Sequence, residues 1–314
     1  MKLLMEDASL TQYYDIVGDI HGHADALETL LLKLGYELYG GVYRHSSHKM
    51  IFLGDFIDRG HQQREVIQLI KPMIEQGVAF SVMGNHEFNA ICYATLGKNG
   101  KPLREHSDKN TKQHAAFLAA YPDANERMEI INWFKTLPVY RDTGDFRVIH
   151  ASWNEEALRH ISPFLDKEGC LKEEAYELCC DEDSLLCQAI ETLLKGPEVA
   201  LPDGVTYKDK DGHVRGRARV KWWTPHHFDV NKRLHLGSEL QNDHKLATIS
   251  INSEQHYPHT DIPIFFGHYW MNDIEPKLLS ENCACLDYSI AKGGKLVAYQ
   301  WRGEKILKNN HFVW

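Results

Sequence analysis

The stretch Met50–Gly60, MIFLGDFIDRG, runs an apolar segment straight into Gly54 and then into Asp55, Asp58 and Arg59. Two other stretches have the same shape. YYDIVGDIHG over residues 13–22 ends in Asp19 and His21, and VAFSVMGNHE over residues 78–87 ends in Asn85 and His86. Each apolar segment reads as a short buried strand, over Tyr13–Asp19, Met50–Gly54 and Val78–Met83. Between them, Ala24–Leu34 sets Leu27, Leu30, Leu31 and Leu34 at helical spacing. The stretch from about Gln62 to Gln76 does the same with Val66, Ile67, Ile70 and Ile74, and Pro72 is expected to kink it. The pattern is β-α-β-α-β. Asp19 and Asp55 lie 36 residues apart and Asn85 another 30 on, about the length of one crossover unit. Parallel strands with right-handed crossovers therefore deliver all three residue sets to one sheet edge.

At that edge the residue types point to metal chemistry. In an extended segment residues i and i+2 point the same way, so Asp19 and His21 can act on one ion as a pair. Asp55 has two oxygens with which to bridge two cations, and Asn85 offers a neutral carbonyl. Oxygen and imidazole donors without thiolate favour Mn²⁺, Fe or Zn²⁺ over copper. The glycines beside them allow tight turns and close backbone approach.

Gly18-Asp19-Ile20-His21-Gly22, Gly54-Asp55-Phe56-Ile57-Asp58-Arg59-Gly60 and Gly84-Asn85-His86-Glu87 resemble, in order, the G-D-x-H-G, G-D-x-x-D-R-G and G-N-H-E motifs of the calcineurin-like metallophosphoesterases, in the branch of phosphoprotein phosphatases and diadenosine tetraphosphatases. The resemblance is dense over about residues 14–90 and then rests on two histidines, His150 in His150-Ala151-Ser152 and His268 in Gly267-His268-Tyr269-Trp270. The first of these departs from the usual H-G-G. In the second, Trp270 stands where many other metallophosphoesterases carry a second histidine. The resemblance implies an α/β fold, a layered β-sheet sandwich flanked by helices. It implies Asp19, His21 and Asp55 as ligands of one metal ion and Asp55, Asn85, His150 and His268 as ligands of a second, most simply Mn²⁺. It further implies His86 as the catalytic acid, Asp58 as the carboxylate that orients it and Arg59 as a phosphate clamp. A second phosphate-binding arginine is expected among Arg215, Arg217 and Arg219, with Arg219 and Arg217 ranked first on one face of a strand.

The implied activity is hydrolysis of phosphate esters by water activated between two metal ions. A Ser/Thr-type protein phosphatase or other phosphomonoesterase is the first reading and a dinucleoside polyphosphate hydrolase the alternative. A non-catalytic binding protein on the same fold is disfavoured because every ligand and the acid are present. The expected partner is a phosphorylated substrate, whether phosphoprotein, small phosphoester or dinucleoside polyphosphate.

The whole-chain properties agree with a globular enzyme. At 314 residues, with 43% hydrophobic and 25% charged residues, the chain is expected to form a single domain, residues 1–314, able to bury a sizeable core. The formal net charge of −9 argues against a generally basic surface for nucleic acid. Nineteen histidines raise the expectation of metal chemistry. Seven cysteines, among them Cys283 and Cys285 but with no C-x-x-C pair, read as reduced and structural. Met1–Tyr14 is too short in apolar residues for a signal peptide and no later run reaches a membrane span, so a soluble, cytoplasmic protein is expected.

Beyond residue 88 the sequence predicts helices to Leu137, a strand pair Val139–Asp142 and Phe146–Ile149, and a buried strand Ile262–Phe266. A late strand Lys295–Trp301 is expected to pair around Gly293-Gly294. Residues from about 154 to 220 read as an inserted, cap-like region of helices and hairpins. Within it Asp209–Gly212 is read as a hairpin turn rather than a calcium loop, and the adjoining Trp222 and Trp223 as core.

Overall fold

A computed structural model describes residues 12–208, 212–236, 249–251 and 256–314. The first fourteen residues, apart from the last three, lie outside these, as does most of the Asp209–Gly212 turn; the strands on either side of that turn, Tyr207–Lys208 and Val214–Arg215, pair antiparallel.

The three apolar segments form adjacent parallel strands, Tyr13–Val17 beside His48–Phe52 beside Ala79–Ser81. Helices Ala24–Lys33 and Gln63–Glu75 connect them. The second helix passes through Pro72 and buries Val66, Ile67, Ile70 and Met73. A small hairpin, Glu37–Tyr39 with Val42–Arg44, precedes the second strand; three-residue strands carry too little alternation to be read from sequence.

The other edge of this sheet corrects an expectation. Lys295–Trp301 is not one hairpin strand, because it breaks at Val297. Lys295–Leu296 pairs with Asp287–Tyr288, whereas Ala298–Trp301 runs antiparallel to Tyr13–Val17, with Ile16 opposite Tyr299, and carries Phe312–Val313 on its far side. A partner nearly 300 residues away leaves no local signal.

A second sheet has the order Cys283–Cys285, Ile264–Phe266, Arg147–Ile149, Tyr140–Asp142. Its inward residues Phe146, Val148, Phe265, Ala284 and Leu286 share one buried cluster with Ile16, Ile51, Leu53 and Val82 of the first sheet. This is the interior of a β-sandwich. The helices pack on the outer faces in a larger cluster that includes Leu27, Ile70, Ile91, Phe117 and Phe134. The fold is thus α/β, a two-sheet sandwich flanked by helices.

Residues 154–195 form helices Glu155–Ile161, Ala175–Cys179 and Leu185–Lys195. The three arginines near 217 do not share one strand. The chain breaks at Gly216, so Arg215 pairs with Tyr207, while Arg217–Val220 joins Glu198–Ala200 and Leu234–His235 in a separate sheet. Trp222 and Trp223 are buried, and the Trp222 indole N–H donates to Ala151 O at 3.0 Å. Among the described residues the cysteines are free, and no helix is long and apolar enough to cross a membrane.

Candidate active site

Strand ends build the site. Tyr13–Val17 stops and hands on Asp19 and His21, His48–Phe52 hands on Asp55, Asp58 and Arg59, and Ala79–Ser81 leads to Asn85 and His86 at the start of helix Asn85–Ala94. From the second sheet, Arg147–Ile149 delivers His150 and Ile264–Phe266 delivers His268. Parallel pairing of these two strands, Ile264 beside Arg147, sends both histidines out at one edge.

Asp55 lies at the centre. Its Oδ2 is 3.5 Å from His21 Nε2 and 3.9 Å from His86 Nε2, and its Oδ1 is 3.5 Å from His150 Nε2. Two groups of donors result, His21 with Asp55 and His86, and Asp55 with His150 and His268, each with ligand atoms within 4.8 Å of one another. Asn85 Oδ1 sits 3.0 Å from His150 Nε2. Asp19 reaches the site from the side, its Oδ2 accepting the His268 backbone N–H at 3.1 Å.

Buried polar atoms do not remain unpaired without cause. Asp19 Oδ1, His21 Nε2 and His268 Nε2 are all buried with no hydrogen-bond partner. His21 and His150 turn their other nitrogens to backbone carbonyls, Nδ1 to Ile57 O at 2.9 Å and to Leu53 O at 2.7 Å. This fixes the Nε2 atoms toward the site, the arrangement typical of metal-binding imidazoles. Burial lowers the pKa of His21 to about 3, and burial together with Arg219 lowers that of His268 well below the usual histidine value. Both rings are therefore neutral with a free lone pair. Asp19 is driven the other way, well above a normal carboxylate, by burial and by the charges of Asp287 and Asp55. A cation relieves that repulsion. Hard oxygen and imidazole donors, unpaired and neutral where they must be, fit a pair of divalent cations.

The backbone is strained where the donors sit. His21, Asp55, Asp58, Arg59 and His268 all have φ between +47° and +69°, as does Trp270 at +50°. Non-glycine residues rarely adopt this region, and clusters of them mark sites where function outweighs local stability. Close approach adds a second constraint: a methyl group at Gly84 would overlap the backbone nitrogen and Oδ1 of Asp55, and one at Gly267 would overlap Asp19 Oδ1.

One member of the first donor group, His86, is also half of a hydrogen-bonded pair. His86 Nδ1 lies 2.6 Å from Asp58 Oδ2, both buried. Burial opposes charge on His86, but Asp55 and the Asp58 hydrogen bond outweigh it and raise its pKa above the ordinary value. Asp58 is held far below the carboxylate range, against its own burial, by hydrogen bonds from His114 and His86. Arg59 is exposed, its guanidinium 4.3 Å from the centre of the Trp270 ring. Of the three arginines, Arg219 is the one whose charge acts on His268; its Nε is buried without a hydrogen bond, 3.9 Å from Glu198 Oε1. Arg217 is largely exposed, with its Nε 3.5 Å from Glu198 Oε2, and Arg215 is exposed on its separate hairpin.

Four residues that sequence reasoning did not assign hold this arrangement together. Glu87 is fully buried and accepts the backbone N–H groups of Asp55, Phe56 and Gly84 at 2.8, 2.8 and 3.0 Å. Burial and the Asp55 charge push its pKa to about 7 against those donors. Its place three residues after Gly84, at the third position of a helix, is a readable capping pattern. Asp287 accepts the Trp270 N–H at 2.8 Å. Trp270 itself braces Arg59, and His114 bonds Asp58; neither contact has a local sequence signal.

The model of the calcineurin-like phosphoesterase family matches residues 14–185, more than half of the chain. The chain belongs to the calcineurin-like phosphoesterase family. Within that family it is similar to an asymmetrical bis(5'-nucleosyl)-tetraphosphatase of Oceanobacillus iheyensis, 33% identical over 138 residues, 44% of this chain and 54% of that protein. A symmetrical bis(5'-nucleosyl)-tetraphosphatase of Vibrio parahaemolyticus is 25% identical over 306 residues, 93% of this chain and 96% of that one. The chain spans about half the length of the asymmetrical relatives it matches. In fold this phosphoesterase resembles a serine/threonine phosphatase of Saccharomyces cerevisiae, with TM-score 0.50, 16% identity and 93% and 73% of the two chains covered. It also resembles a cold-active protein-tyrosine phosphatase of a Shewanella species, with TM-score 0.50, 18% identity and coverage of 97% and 83%.

Proposed function

We propose that this phosphoesterase is a metal-dependent hydrolase of dinucleoside polyphosphates, with the two donor groups sharing Asp55 as the reacting centre. The observation that carries the chemistry is that His86, whose Nε2 faces Asp55 within the first donor group, is bonded through Nδ1 to Asp58. In this reading Asp19, His21 and Asp55 hold one divalent cation and Asp55, Asn85, His150 and His268 the other. The pair of ions, most simply Mn²⁺ with Fe or Zn²⁺ as competitors, would supply an activated water and neutralise phosphoryl charge. The chain's own residues do the rest. Asp58 keeps the proton of His86 on Nδ1 and favours the charged ring, so that Nε2 can give a proton to the departing oxygen. Arg59, pre-oriented on Trp270, and Arg219 offer guanidinium groups to phosphate oxygens. The segment from about 154 to 220, which supplies Arg219, is the pocket-shaping insertion of a single domain.

The substrate class is supported by the relatives, whose names specify tetraphosphate hydrolysis, whereas the phosphoprotein reading expected first from sequence has its support only in likeness of fold. Purified protein loaded with Mn²⁺ is to be given diadenosine tetraphosphate and, separately, a phosphoserine peptide, with products separated by chromatography. Preferred turnover of the tetraphosphate is expected, and ADP alone or ATP with AMP identifies the bond cleaved. Turnover of the peptide alone would overturn the substrate assignment. Turnover of both by metal-stripped protein would overturn the chemistry.

A further inference from the structure

Asp58 has two histidine partners, and the proposed proton transfer uses one of them. The second, His114, lies on helix Asp108–Ala120, 56 residues further along the chain. Its Nδ1 is 2.9 Å from Asp58 Oδ1, while Asp58 Oδ2 takes His86 Nδ1 at 2.6 Å. His114 is buried, packed on Phe117 with ring centres 4.9 Å apart and tilted against Tyr93 at 5.3 Å. The backbone of Asp58 is fixed separately: its N–H donates to Gln63 Oε1 at 2.7 Å and its carbonyl accepts from Gln63 Nε2 at 3.2 Å. Gln63 therefore holds the main chain of Asp58 but leaves its carboxylate free to turn.

That freedom matters. The terminal torsion of an aspartate is broad and nearly two-fold, so a carboxylate with one partner can present either oxygen at a range of angles. A donor on each oxygen removes the degeneracy. We infer that His114 is a positioning residue for the hydrolysis: by binding Oδ1 it fixes the carboxylate plane of Asp58, and so the line along which Oδ2 meets His86 Nδ1. This rests on the reading of His86 as the acid. It follows that a side chain 56 residues away, outside both donor groups, sets the tautomer of His86 and the direction of its Nε2.

The shape of asparagine and glutamine allows a test. The side-chain nitrogen of Asn can occupy the place of His Nδ1, while that of Gln extends to the place of Nε2, so His114→Asn keeps the donor to Asp58 and His114→Gln loses it at similar bulk. Wild type, His86→Asn, His114→Asn and His114→Gln are to be compared as metal-loaded proteins, with diadenosine tetraphosphate as substrate. Two readouts are taken: kcat with KM, and the ring-nitrogen correlations of His86 by NMR in the Zn²⁺-loaded form. His114→Gln is expected to lower kcat about tenfold, the low end of what loss of an orienting partner costs. KM stays the same, and the fixed Nδ1–H signal of His86 is lost. His114→Asn restores both kcat and the signal.

Wild-type kcat and a wild-type His86 spectrum in His114→Gln would overturn the inference. An equal fall in both variants with an unchanged His86 spectrum would do the same, since that is the mark of packing alone. Wild-type turnover in His86→Asn would remove the acid assignment instead, and the ring spectra would still report whether His114 aligns the pair.

Discussion

Asp58→Asn keeps the size of the side chain and removes its charge, and the geometry sets the consequence. The aspartate meets a histidine at each oxygen, His86 at 2.6 Å and His114 at 2.9 Å, with nearly all of its surface buried. Asparagine has one acceptor, so one histidine must face an N–H group or change tautomer. Charge centres about 4 Å apart attract by about 4 kcal/mol at an effective dielectric of about 20. A neutral hydrogen bond returns about 1 kcal/mol. The difference, about 3 kcal/mol, corresponds to roughly two units in the pKa of His86 and roughly 10²-fold in a step that needs its proton. The sign follows from the direction of the native shift. His86 is raised above the ordinary histidine value of 6.5, so the wild-type acid persists into more alkaline solution and its activity falls above that value. Removing the carboxylate lowers the pKa and moves the fall to more acid pH. Steady-state kcat across the pH range, with metal content measured on the same samples, is the assay. Two bound ions, a kcat lower by about 10² and an alkaline limb displaced downward are expected. A kcat within about threefold of wild type at every pH would refute the reasoning, because it would leave His86 without need of its partner.

Other perturbations separate the remaining roles. Stripping the protein with a chelator is expected to abolish turnover and Mn²⁺ to restore it, followed by metal analysis alongside activity. His268→Ala should weaken one ion and spare the one nearer His21, because His268 groups with His150 and not with His21; retention of both ions at wild-type affinity would contradict this. Trp270→Ala should raise KM and leave metal content intact, since it removes the ring that braces Arg59, and titration of initial rates against substrate measures it. Gly84→Ala should destabilise the protein by about 3 kcal/mol, the upper end for overpacking, because the added methyl meets the backbone of Asp55 rather than a movable side-chain end. The urea midpoint reports the loss.

Asp19, His21, Asp55, Asn85 and His86 could be read from the chain because each follows a short apolar strand at crossover spacing. Local order there dictates both the strand and the turn that ends it, so sequence alone determined the parallel core, the sheet edge and the acid and imidazole donors. His150 and His268 were legible only as isolated residues after apolar runs. It took the pairing of Ile264–Phe266 with Arg147–Ile149 to bring them together. The placement of the arginines was decided by tertiary structure in the same way. The break at Gly216 puts Arg215 on a hairpin, and the strands on either side of Arg219 place its charge within reach of His268. Glu87 combined the two kinds of signal, since its capping position was visible but its three backbone donors come from two loops. Trp270 stood out by its place in a motif, but the contacts of His114 and Trp270 had no signal. Their contacts with Asp58 and Arg59 span 56 and 211 residues, and no periodicity or motif records a contact that exists only after sheets and helices have packed. Sequence determined which groups could react; the packing of distant segments decided which of them are aimed, neutral and held.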